Sequence, residues 1–127
     1  MNIERIQEVT NDWRSANWKV IEFENPGFKE VRKLFLETYE IIEKYRDEKL
    51  VPKELSGLLL EMQEFSWWVS NLEETPLHRY HQEIVSMMYE LKGMFLKKDA
   101  DTQKVKNLIE KIPEENTEER IISPPHP

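Results

Sequence analysis

One stretch constrains this chain more than any other: Pro52 to Leu72, which reads KELSGLLLEMQEFSWWVSNL after the proline. Leu55, Leu58, Leu59, Met62, Phe65, Val69 and Leu72 recur at steps of three and four, and at about 100° per residue these gather into one stripe of a helix. Leu60 and Trp67 fall outside that stripe, roughly 160–180° from its centre and one above the other, with Trp68 beside them. A helix that is apolar on two sides needs cover on two sides. Left in water, Leu60 and Trp67 would together forgo about 4 kcal/mol of burial, a good part of a small domain's stability.

The rest of the chain supplies the surroundings of this helix. Ile6, Val9, Trp13, Ala16, Val20 and Phe23 repeat at three and four and predict a first helix of about 20 residues. Its periodicity is firm to Asn17, whereas the β-branched and aromatic residues from Trp18 onward suit an extended segment equally. Asn25-Pro26-Gly27 then restarts the chain, with Asn25 as N-cap and Pro26 in the first helical position. Phe28, Val31, Phe35, Tyr39 and Ile42 form the seam of a second helix expected to run to about Leu50, where Val51-Pro52 ends it. Thr75 and Pro76 repeat the cap-and-proline device for a fourth helix carrying Leu77, Tyr80, Ile84, Met88, Leu91 and Phe95 and closing on Lys97 and Lys98. A shorter fifth helix, capped by Asp99 or Asp101, carries Val105, Leu108, Ile109 and Ile112.

These seams and short links predict an all-α protein: an antiparallel up-down-up-down four-helix bundle with a short fifth C-terminal helix. Residues 1–112 form one bundle domain in this reading. Residues 113–127, PEENTEERIISPPHP, are an acidic, Pro-rich tail in which only Ile121 and Ile122 offer an apolar docking point.

Composition then narrows the function. The chain has 127 residues and no cysteine, so neither a disulfide framework nor thiolate chemistry is available, which suits a reducing, cytoplasmic setting. The opening MNIERIQEV lacks the pattern of a signal peptide, and no stretch approaches the ~18 apolar residues of a membrane span. With 25 acidic and 18 basic residues the net charge is −7, which repels a phosphate backbone and serves solubility or a basic protein partner. Nucleic acid and membrane are therefore not expected as partners. The nearest thing to a basic patch is Lys92, Lys97, Lys98, Lys104, Lys106 and Lys111, interrupted by Asp99, Asp101 and Glu110.

Catalytic patterns are weak. His78 and His81 are three apart, but there is no Glu-x-x-His pair to complete a metal site; His78 reads as solvated, His81 as an amphipathic residue at the core edge, and His126 lies in the tail. Glu37, Glu40 and Glu43 on the second helix and Glu61 and Glu64 on the third resemble the paired acids with which helical hydrolases hold magnesium and nucleotide phosphates. On the wheel, Glu37 and Glu64 point away from their seams and Glu61 to one side, so the set does not converge. Three scattered glycines make no phosphate loop. No enzyme activity, cofactor or metal is expected, and a metal-dependent nucleotide hydrolase stands as the alternative.

Off-seam apolar residues are the remaining signal. The second helix has Leu34 and Ile41, the third has Leu60, Trp67 and Trp68, and the fourth has Val85, Tyr89 and Leu96. Their cover is the fifth helix, the Trp18-to-Phe23 segment or the tail; a second copy of the chain; or another protein, for which Trp and Tyr are natural anchors. The function read from the sequence is a small acidic protein-binding bundle, of adaptor, regulator or inhibitor type. Leu60, Trp67, Trp68, Val85 and Tyr89 are its contact residues, and a structural homo-oligomer is a further alternative.

Overall fold

Trp13 is the residue on which the helices meet. It is fully buried, with its ring edge-on to Phe35 at 4.9 Å and tilted against Phe65 at 5.2 Å. Its indole Nε1 donates to the Thr38 hydroxyl at 2.9 Å, and that hydroxyl in turn donates to the Leu34 carbonyl at 2.7 Å. A large apolar side chain with one polar atom is thereby buried with its donor satisfied. The computed structural model describes residues 3–96 and 102–113. Trp13 belongs to α1 (Ile3–Ile21), Phe35 and Thr38 to α2 (Phe28–Tyr45), and Phe65 to α3 (Glu54–Asn71). A 3₁₀ turn (Pro76–Tyr80), α4 (His81–Leu96) and α5 (Thr102–Lys111) follow, and no strand occurs among the described residues.

The seams pack as their spacing predicts. Ile6, Val9, Ala16 and Val20 of α1, Phe28, Val31 and Ile42 of α2, Leu55, Leu58, Met62 and Val69 of α3, and Ile84 and Leu91 of α4 join one buried cluster with Val105, Leu108 and Ile109 of α5. α4 buries Met87 and Met94 as well, off the line of its predicted seam. That second face has a cause: α4 touches α3, α2 and α5, so it is buried from more than one direction.

Packing order departs from a simple ring of consecutive helices. α1 lies most extensively against α3 and also against α2, while α4 lies against both α3 and α2. α2 and α3, consecutive in the chain, are not among the closely packed pairs. Residues 46–53 join them and let the chain cross the bundle, and the aromatic contact of Trp13 with Phe65 holds α1 against α3 instead.

Helix ends correct several expectations. α1 continues through Trp18 to Ile21, so the segment whose residues suit helix and strand equally is helical as far as Ile21; Val20 is buried while Trp18 is exposed. It then closes with Phe23 N–H donating to the Val20 carbonyl at 3.0 Å and Glu24 N–H to the Lys19 carbonyl at 2.6 Å. This is the Schellman pair of hydrogen bonds, and the left-handed residue it requires is Phe23, at φ 60°, where glycine is usual. Asn25 is not the N-cap of α2: its Oδ1 accepts from Gly27 N–H at 3.0 Å, and Gly27, at φ 91° and ψ 138°, is the residue that precedes the helix. A side chain would be strained at that backbone, so the sequence has glycine there. α2 ends at Tyr45 rather than near Leu50, and Leu50 is exposed. Thr75 does accept from Leu77 N–H, at 3.4 Å, but the turn it caps is 3₁₀, and α4 starts only at His81.

Candidate functional site

The side of α3 opposite its seam does not close. Leu60 and Trp67 are 58% and 57% exposed, and Tyr89 on α4 is 65% exposed. Between the two helices runs a groove of about 370 Å³. Its walls are Leu60 and Trp67 from α3 and Val85 and Tyr89 from α4. Its floor includes Met88, Ser66 and Ser70. Both serines turn inward on their own helix, donating at 2.8 Å to the carbonyls of Gln63 and Ser66, so short side chains hollow the groove without lining it with free hydroxyls. Lys92 donates to Gln63 Oε1 at 2.7 Å and ties α4 to α3 at the groove.

Trp68 has a different place. It is half-buried against the core, lies outside the groove lining, and meets Trp67 edge-on at 4.9 Å, so it braces the Trp67 ring. Glu64 also lines the groove and has no ion pair among the described residues. A groove with aromatic walls and one open carboxylate can take an apolar helix face that carries a base.

The five glutamates of the hydrolase alternative are dispersed. Glu40 is paired with Arg5 at 3.0 Å, Glu43 with Arg46 at 3.7 Å, and Glu61 with Arg14 at 3.1 Å while also accepting from Asn17 Nδ2 at 3.2 Å. The Arg5 and Arg14 pairs bind α2 and α3 to α1, a structural use of the charges. Among the described residues no group of three or more His, Asp or Glu side chains is placed to hold a metal ion.

His78 is not the solvated residue the sequence suggested. It is half-buried with Nδ1 2.8 Å from the Val69 carbonyl, while His81 Nδ1 lies 2.8 Å from the His78 carbonyl. A carbonyl only accepts, so Nδ1 carries the proton in both rings. The two rings stack at 4.5 Å and 11°, and lone pairs lying in parallel, separated planes do not converge on one ion. The pair serves the turn between α3 and α4.

Of the basic residues near the α4–α5 junction, Lys92 is engaged with Gln63 and Lys104 with Glu90 at 3.2 Å. Lys97, Lys98, Ile121 and Ile122 lie outside the described residues. Sequence reasoning missed a different concentration of bases, in which Lys106 of α5 faces Lys29, Arg32 and Lys33 of α2 across a second cleft. The available signal was the i, i+3, i+4 spacing of the three α2 bases, whereas their approach to Lys106 is a product of tertiary packing. No described helix is long and apolar enough to cross a membrane. Compared with known protein families, with curated proteins and with solved structures, the chain finds no match.

Proposed function

We propose that this chain is a non-catalytic, cytoplasmic protein-binding module that seats an amphipathic helix of a partner protein in the α3–α4 groove. One observation carries the reading: Leu60, Trp67, Val85 and Tyr89 converge on one groove from two helices, with three of the four largely in water. Exposed aromatic side chains at a concave surface are the residues that dominate binding energy when a partner covers them. Read as antiparallel neighbours in an up-down bundle, α3 and α4 offer two parallel ridges, the geometry into which a third helix fits. Glu64 within the groove and a net charge of −7 select a basic helix over an acidic one.

The test is selection of helical peptides from a displayed library on the full chain, repeated on a Leu60→Gln, Trp67→Gln variant whose helicity is checked by circular dichroism. The expected result is enrichment of peptides with apolar residues at i, i+3, i+4 and i+7 and flanking bases, with about 30-fold or greater loss of affinity in the variant, since anchors of this kind contribute ~2 kcal/mol or more. Enrichment unaffected by the substitutions would reject the groove as the site. Sedimentation equilibrium of both proteins settles the competing occupant: a dimer that the substitutions dissociate assigns the groove to a second copy of this chain.

A further inference from the structure

The cleft between α2 and α5 has the opposite chemistry to the molecule that holds it. In a chain with 25 acidic and 18 basic residues, this space of about 540 Å³ is lined by Lys29, Arg32, Lys33 and Lys106, with Glu110 as the one acid among the described residues. Lys106 stands 5.7 Å from the centre of the Tyr39 ring, and Lys29 and Lys33 have no ion pair among the described residues. Like charges at i, i+4 on one helix are unfavourable unless acids meet them. Leu36, 44% exposed, adds an apolar spot at the same cleft. The matching occupant is a segment with several acids followed by an apolar pair.

We infer that this cleft is the docking site of the chain's own residues 114–122, EENTEERII. Glu114, Glu115, Glu118 and Glu119, set against Arg120, leave the segment acidic toward Lys29, Lys33 and Lys106, and Ile121 and Ile122 supply apolar surface for Leu36. The path fits. Lys106 sits over Tyr39 while Glu110 shares the cleft with Lys29, Arg32 and Lys33, so α5 runs toward the start of α2 and delivers Pro113 to the basic end. Residues 114–122 reach up to about 30 Å when extended, and Lys29 to Leu36 spans about 10 Å of α2. Tethering makes the contact intramolecular, with an effective concentration on the order of millimolar, so individually weak ion pairs suffice.

The chain has no cysteine, so a Ser123→Cys variant accepts a single nitroxide label next to this segment in the otherwise intact protein. The expected result is paramagnetic loss of the amide signals of residues 29–36 and 106–110. Those signals return in 1 M salt, where the screening length falls to about 3 Å, and in a Lys29→Glu, Lys33→Glu background. Adding Glu118→Lys and Glu119→Lys to that background restores the loss. Signal loss around Trp67 and Tyr89 instead, no localised loss, or loss indifferent to salt and to the charge swaps overturns the assignment. Loss that appears in an unlabelled, isotope-enriched chain mixed with a labelled one overturns the intramolecular form of it.

Discussion

α2 and α3 carry the same device off their main seams, an apolar pair seven residues apart, and the folded chain treats the two pairs in opposite ways. Leu34 and Ile41 on α2 are 2% and 4% exposed; Leu60 and Trp67 on α3 are 58% and 57% exposed. The difference lies in the neighbour. α1 approaches α2 through the Trp13–Thr38 hydrogen bond, and Ile41 lies beside Arg5 and Ile6 of α1. α3 gives its seam to the interior and has α1 and α4 at its flanks, which leaves the Leu60–Trp67 line uncovered. A second apolar stripe therefore marks a helix that needs two neighbours. It does not say whether the second neighbour belongs to the same chain.

The largest expected effect lies on the covered side. Ile41→Ala should destabilise the fold by about 2–5 kcal/mol, the range for removing a buried aliphatic side chain and leaving a cavity, read as a lower urea midpoint at unchanged slope. A cost below about 1 kcal/mol would mean that the α2 stripe is not core and would erase the contrast with α3.

That contrast also shows how far the sequence could be read. The seam residues are legible because burial repeats with the helix period: Ile6, Val9, Trp13, Leu55, Met62 and Val69 are all buried where the pattern requires it. The groove residues were legible as two separate lines, Leu60 with Trp67 seven residues apart on α3 and Val85 with Tyr89 four apart on α4, whereas their meeting in one groove is a product of tertiary packing. Which stripe α1 would cover was not legible, because it depends on α1 pairing with α3 and on the crossing made by residues 46–53, both long-range outcomes. The cleft that joins Lys106 to Lys29 and Lys33 was hidden by the same distance in sequence. The three-and-four spacing makes Phe23 the last seam residue, but the chain closes its helix there in a left-handed turn and the ring is exposed.

Thr38→Val sharpens the comparison at the contact that creates it. Valine fills the space but cannot accept from Trp13 Nε1, and a buried donor left unpaired costs about 1–3 kcal/mol. Thr38→Ser keeps the acceptor and should avoid most of that loss. If valine and serine cost the same, packing rather than the hydrogen bond holds α1 on α2.

Exposure alone does not mark a site, and Phe23 tests this. It is 67% exposed and stands at φ 60°, a backbone position that suits glycine. Phe23→Gly should raise stability by about 1 kcal/mol and leave peptide binding at the α3–α4 groove unchanged. A loss of stability would mean that the Phe23 ring contributes packing that offsets its backbone strain.

The smallest effect belongs to the uncovered side, and it decides the comparison. Leu60→Gln keeps a good helix former in α3 and removes apolar surface that is already largely in water. Stability should therefore change by no more than about 0.5 kcal/mol, measured in the same urea titration as Ile41→Ala and at a concentration where the chain is monomeric. The same substitution should weaken the capture of a helical peptide, because a side chain that is idle in the free protein does its work only when covered. A loss of 2 kcal/mol or more in the monomer would put Leu60 in the same class as Ile41: part of a closed core, with the groove as an internal seam rather than a surface that waits for a partner.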